Sequence, residues 1–171
     1  MDKIVFITGA SSGIGAGCAR KFASQGASLL LNARNVNKLS ALKEELEKQY
    51  GAKIYLLPFD VRDRKAATSA LESLPKEWQS IDILVNNAGL VIGTDKEQEG
   101  SLDEWDIVID TNVKALLAMT RLIVPGMVER KRGHIINIGS IAGDAAYPGG
   151  SVYCATKAAV KALSDGLRID L

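Results

Sequence analysis

At 171 residues, 47% hydrophobic and 24% charged, the chain has the size and composition of a single domain, residues 1–171, with a sizeable core. A net charge of +1 with no basic block argues against nucleic acid as the main partner, and no apolar run approaches the ~20 residues of a membrane span or a signal-peptide layout. Cys18 and Cys154 form no redox or metal-ligand pair in sequence, and the one histidine, His134, argues against a His-based triad or metal site, so the expectation is a reduced, cytoplasmic protein without a metal.

Lys3 to Thr8 is an apolar, β-branched run without alternation, as expected of a strand buried on both faces. It flows into Gly9-Ala10-Ser11-Ser12-Gly13-Ile14-Gly15, and a helix follows to about Gln25. Glycines serve where the chain turns sharply or backbone must approach a ligand, and N–H groups opening a helix suit a pyrophosphate. The spacing is G-x-x-x-G-x-G rather than G-x-G-x-x-G.

Ser28 to Ala33 is the second predicted strand, and Arg34 follows it. An acid at this position would grip a ribose 2′-hydroxyl and repel a 2′-phosphate, whereas a guanidinium suits a phosphate. Arg34 is also readable as a solvated residue capping a loop, although the glycine turn upstream favours the phosphate reading. Asn35 is the expected N-cap of a helix through Tyr50, with Leu39, Leu42 and Leu46 as its apolar stripe and Gly51 as its stop. A third strand, Lys53 to Phe59, leads to Asp60-Val61. Asp60 can accept from an adenine amino group or cap the helix that follows, although Asp63 is the better cap for that helix, Asp63 to Leu74.

Ile81 to Val85 is the fourth predicted strand, ending in Asn86-Asn87-Ala88-Gly89. Two amides there can tie neighbouring strands together, while Ala88 and Gly89 let a flat ring approach. After a loop, Leu90 to Gly100, a long helix runs from about Ser101 to Arg130, with a break expected near Asp110 because Asn112 disfavours a helix interior. Gly133 precedes a fifth strand, His134 to Ile138, which delivers Ser140 to a loop. A final helix from about Ser151 carries Tyr153 and Lys157 at i and i+4, one above the other on one face. A cation beside a phenol favours the phenolate and brings a tyrosine toward the range where it exchanges protons. The pair is also readable as a packed ring beside a solvated lysine. Strands alternating with helices predict a parallel α/β sheet, with Gly13, Asn87, Ser140 and Tyr153 converging at its carboxyl edge.

Taken together, Thr8-Gly9-x-x-x-Gly13-x-Gly15, Asn86-Asn87-Ala88-Gly89, Asn112, Ser140 and Tyr153-x-x-x-Lys157 resemble the classical short-chain dehydrogenase/reductase family over the whole chain. Ile81 to Val85, Val124 to Arg130 and Gly133 to Ser140 are similar, more narrowly, to its NADP-dependent 3-hydroxy acid dehydrogenases. The resemblance implies a Rossmann-type doubly wound sheet of order 3-2-1-4-5 and hydride transfer between NADP and a small hydroxy acid or carbonyl substrate. It implies a tetrad in which Tyr153 is the acid/base, Lys157 tunes it and holds the nicotinamide ribose, Ser140 orients the substrate oxygen and Asn112 positions a water. It also implies cofactor contacts from Gly9, Ser11, Ser12, Gly13, Ile14, Gly15, Arg34, Asp60, Val61, Asn87, Ala88 and Gly89. A homodimer or homotetramer through the last two long helices completes the picture.

Members of that family continue with a sixth and a seventh strand, whereas this sequence stops at Leu171. The expectation is a truncated sheet with an open edge on strand five, an incomplete pocket, and a chain that is poorly soluble or oligomeric. A catalytically inactive NADP-binding or subunit-association fragment, or a nucleotide sensor, is the alternative.

Overall fold

Five short apolar runs become the strands β1 (Ile4–Ile7), β2 (Ser28–Asn32), β3 (Ile54–Leu57), β4 (Ile83–Asn86) and β5 (His134–Asn137). All pair in parallel, in the order β3-β2-β1-β4-β5, as the resemblance implied. The computed structural model describes residues 3–171, so the first two residues of the expected domain lie outside the described residues. The helices are α1 (Gly13–Ser24), α2 (Val36–Tyr50), α3 (Arg64–Glu72), α4 (Leu102–Ile109), α5 (Ala115–Glu129) and α6 (Ser151–Asp170).

Successive strand residues point to opposite faces, and both faces are buried. Val5, Ile7, Leu29, Leu31 and Val85 pack on one side against Ala16, Ala19 and Ala23 of α1 and the expected Leu39, Leu42 and Leu46 stripe of α2. Phe6, Leu30 and Leu84 face the other way, against Met119, Ile123 and Met127 of α5. The alanine face of α1 lets that helix lie close to the sheet beneath the first turn, which fixes where its N-terminus points.

Local signals were realised as read. Asn35 caps α2 by accepting from Lys38 N at 3.0 Å, and Gly51 ends it at φ 62°. Asp63 caps α3 by accepting from Ala66 N at 3.0 Å, which removes that role from Asp60. The break expected near Asp110 is a π-helical turn, Asp110–Lys114, between α4 and α5. Strand ends differ from the sequence reading. All five expected strands begin or end one to two residues away from β1 to β5, because a strand lasts only as far as its neighbour offers a ladder. The first helix opens at Gly13, so Gly13, Ile14 and Gly15 already belong to its first turn.

Among the described residues β5 pairs with β4 alone, so its outer edge is open, as expected. A groove of about 1010 Å³ runs beside it, lined among others by Met127, His134, Ile136, Leu167 and Leu171. On the last helix Val160 is buried, Leu163 and Leu167 are half-buried and Leu171 is exposed.

At the amino edge of the sheet, beside the start of β5, Asp82 is 4% exposed and ties β1 to β4 by accepting from Ile4 N at 3.0 Å. Its other oxygen lies 2.8 Å from Arg132 Nη2, close enough for an ion pair but poorly aligned for a hydrogen bond. Asp82→Ala should therefore leave the Ile4 N–H without its acceptor and cost about 1–3 kcal/mol. Urea unfolding checks this; a midpoint unchanged from the parent would contradict the clasp.

Candidate functional site

The exits of β1 and β4 are sewn together at the carboxyl edge of the sheet. Thr8 Oγ1 accepts from Asn87 N and Ala88 N, each at 3.0 Å, and Asn87 Nδ2 donates to Thr8 O at 2.9 Å and Gly9 O at 3.1 Å. The expected tie between strands is thus made by Asn87 to β1, while Asn86 Nδ2 donates to Asn137 Oδ1 of β5 at 2.9 Å. Gly15 is buried directly under this clasp. A Cβ there would overlap Gly9 O and Asn87 Nδ2, so no side chain fits. Gly13, by contrast, has φ +52° and open space where a Cβ would stand. The Ser12 side chain makes no capping hydrogen bond, so the first N–H groups of α1 are not consumed by their own cap.

The exits of β2 and β3 form the next wall. Asn32, 1% exposed, donates from Nδ2 to Leu57 O at 2.8 Å and Phe59 O at 2.9 Å, locking the two exits side by side. Arg34 and Lys38 are exposed here, and no acid ends β2. Asp60 is held by Arg62: its carboxylate accepts from Arg62 Nη2 at 2.7 Å, from Nε at 3.1 Å and from the Arg62 backbone N at 3.0 Å. The Arg62 side-chain hydrogen bonds hold the Asp60 carboxyl below the usual carboxylate range, against the opposing effect of partial burial.

At the other end, α6 begins beside the exit of β5. Lys157 is 8% exposed; its Nζ donates to Ile138 O at 2.9 Å and lies 5.8 Å from the centre of the half-buried Tyr153 ring. The two residues share one face of α6, and the lysine is buried rather than solvated. One N–H of the ammonium is used, leaving two for a ligand. Burial pushes the Lys157 pKa down from its usual 10.5.

Asn112 lies 2% exposed in the π-helical turn, and its side chain grips the loop after β4. Its Oδ1 accepts from Leu90 N at 2.9 Å, and its Nδ2 donates to Leu90 O at 2.8 Å and to Thr156 Oγ1 at 3.0 Å. Thr156 Oγ1 in turn donates to Tyr153 O at 2.7 Å, so the turn, the Leu90 loop and the start of α6 are one hydrogen-bonded unit. Ser140 is exposed, and its Oγ accepts from Ala142 N at 3.1 Å, which leaves its own O–H free to donate.

These walls enclose one open cleft of about 650 Å³. Of the sequence-predicted residues, Gly9, Ser11, Ser12, Gly13, Ile14, Arg34, Asp60, Val61, Asn87, Ala88, Gly89, Tyr153 and Lys157 line it. Gly15, Asn112 and Ser140 are the exceptions. Gly15 and Asn112 support the wall from behind, and Ser140 follows Gly139, which does line the cleft. Lys38, Arg62 and Leu90 also line it, and sequence reasoning missed them. For Arg62 the available signal was its place two residues after Asp60, the spacing of a local side-chain-to-backbone turn. The donor set suits a phosphorylated dinucleotide: helix-opening N–H groups at the middle, two cations without an acid at the end of β2, and an ammonium at the far end. Among the described residues no cluster of acids, histidines or cysteines suits a metal ion, and no helix is long and apolar enough to cross a membrane.

The family model described as short chain dehydrogenase matches residues 3–171. The NADP-dependent 3-hydroxy acid dehydrogenase YdfG of Escherichia coli strain K12 is 49% identical over 168 residues, 98% of this chain and 66% of that protein. The NADP-dependent 3-hydroxy acid dehydrogenase of Schizosaccharomyces pombe is 44% identical, over 97% of this chain and 64% of its own length. The chain thus spans less than two thirds of the length of these relatives. Among solved structures, serine dehydrogenase from Escherichia coli superposes with a TM-score of 0.91 at 49% identity, covering 98% of this chain and 75% of that one. A closed form of serine dehydrogenase complexed with NADP+ matches with the same TM-score and covers 66% of that chain.

The depressed pKa of Lys157 has a measurable consequence. Between its folded pKa and the usual 10.5, the unfolded chain binds more protons at this position than the folded one, so stability rises with pH across that window. The cost of burying the charge is fully present below the folded value. Lysine-selective NMR titration should show one Cε resonance, abolished by Lys157→Met, that titrates at lower pH than the rest. A Lys157 resonance titrating with the bulk lysines would contradict the burial argument.

Proposed function

Because the chain belongs to the short chain dehydrogenase family, we propose that it exchanges a hydride, with NADP as cofactor, between a small hydroxy acid and its carbonyl form. The 3-hydroxy acids are the proposed substrate class, supported by the names of the similar proteins from Escherichia coli and Schizosaccharomyces pombe. One observation carries the reading. A single cleft has two exposed cations, Arg34 and Lys38, at the end of β2, and Tyr153 with the buried Lys157 at its other end. The first arrangement suits a 2′-phosphate, and the second suits a group that must give or take a proton.

In this reading the helix-opening backbone of Ser11 to Ile14 holds the diphosphate, with Gly9 and Gly15 packed against the Asn87-Ala88 exit that supports it. Asp60 and Val61 meet the adenine, and Asn87, Ala88 and Gly89 face the flat rings of the cofactor. Bound NADP+ supplies the acceptor for the hydride that leaves the carbinol carbon. Tyr153 takes the hydroxyl proton through its phenol oxygen, and the O–H of Ser140 holds the same substrate oxygen. Lys157 keeps positive charge beside Tyr153 and offers its two spare N–H groups to the ribose. Asn112 keeps the Leu90 loop and the π-helical turn in place for a water in the proton path. Self-association through α5 and α6 belongs to the same proposal, supported by the exposed Leu117, Leu122 and Val128 on α5.

Tyr153→Phe removes the phenol hydroxyl, and with it the oxygen that takes the proton, while keeping the ring. It should lower NADP-dependent oxidation of a 3-hydroxy acid such as serine or 3-hydroxypropionate by roughly 10²–10⁴-fold, with NADPH affinity within a factor of about three. Steady-state absorbance at the nicotinamide band, paired with calorimetric NADPH titration, checks both halves. Retained turnover in the variant removes Tyr153 from the acid/base role. Dinucleotide binding without turnover in the unaltered chain overturns the catalytic half of the proposal.

A further inference from the structure

We infer that Arg62 is a specificity-determining residue of this cleft: by occupying the Asp60 carboxylate it leaves the Arg34 guanidinium available to a 2′-phosphate. The inference rests on the cofactor reading above and names a residue which that reading does not use.

The adjacent exits of β2 and β3 bring Arg34 and Asp60 to the same wall of the cleft. A carboxylate beside a phosphate-binding guanidinium is a liability, because it competes for the cation and repels the anion. Here Arg34 Nη1 stands 3.8 Å from Asp60 Oδ2, the far limit of an ion pair, and forms no hydrogen bond with it. Arg62 takes the carboxylate instead, through the fork of Nε and Nη2 and through its own backbone N–H. The geometry assigns the two arginines different tasks. Arg34 is 67% exposed in its side chain, whereas Arg62 is 32% exposed and lies against the acid it neutralises. Arg62 also feels Asp110, but that carboxylate is already paired with Lys114 at 2.7 Å and does not draw it away.

Removing Arg62 should release Asp60 toward Arg34 and toward the phosphate. The readout is a ratio, the NADH dissociation constant divided by that of NADPH, in which any effect on adenine, diphosphate or folding common to both ligands cancels. Isothermal titration calorimetry of the whole chain gives both constants. In Arg62→Gln the ratio should fall roughly threefold to fivefold, the upper range for one exposed charge pair. Adding Asp60→Asn to Arg62→Gln removes the liability and should restore the ratio to that of the parent. An unchanged ratio in Arg62→Gln overturns the inference and leaves the cofactor reading standing. A double variant no better than the single one also overturns it, because Arg62 would then act on the phosphate directly. Equal affinities in the unaltered protein overturn the cofactor preference, and this inference with it.

Discussion

The side-chain amide of Asn87, lying across the ends of β1 and β4, is the contact on which the rest of the site depends. A parallel sheet leaves its carboxyl edge with backbone carbonyls that have run out of strand partners. Asn87 Nδ2 satisfies two of them, Thr8 O and Gly9 O, and the Thr8 hydroxyl returns the favour to the Asn87 and Ala88 N–H groups. The amide fills the space under the first turn so fully that Gly15 has no room for a side chain. The glycine turn, the N-terminus of α1 and the Asn87-Ala88-Gly89 exit are therefore one rigid body, and the N–H groups that open the helix cannot drift from the strand ends that form the opposite wall.

Charge is distributed along that wall in a way that net composition hides. Positive groups stand at both ends, Arg34 and Lys38 beyond β2 and Lys157 on α6, while the one acid lining the cleft, Asp60, is already engaged by Arg62. Lys157 is the costlier of these to maintain, because its ammonium is desolvated for a single carbonyl partner. Such an arrangement is stable only because the surrounding fold over-determines it, and a ligand that accepts from the two remaining N–H groups would offset the cost. The Asn112 clamp on Leu90 and the Thr156 bridge to Tyr153 O carry that rigidity from the π-helical turn to α6.

What was legible in the sequence was what local chemistry decides. Asn35, Gly51 and Asp63 cap or stop helices through contacts within a few residues, and the Leu39, Leu42 and Leu46 stripe needs only the helical period to be recognised. The Asp110 to Val113 stretch gave away its irregularity because asparagine is out of place inside a helix. The grouping of Gly13, Asn87 and Tyr153 followed from parallel topology, which gathers every strand exit at one edge. Contacts across that edge were not legible. Nothing in the spacing of residues 90, 112 and 156 says that one amide would hold the backbone of the first and the hydroxyl of the last. Arg62 drew no reading from the sequence, and only the structure sets Asp60 in its fork. Ser140 was placed in the site by its motif, whereas the structure sets it just past the cleft lining, with its hydroxyl free.

The central claim is that a single dinucleotide site runs from Arg34, across the first turn of α1, to Lys157. Backbone amide chemical-shift mapping of the chain during titration with NADPH tests it most directly. The account predicts a continuous band of perturbed amides through Gly9 to Ile14, Ala33 to Asn35, Asp60 to Arg62, Asn87 to Leu90 and the first turns of α6. Perturbations confined to the groove beside β5, or absent at saturating ligand, would contradict it.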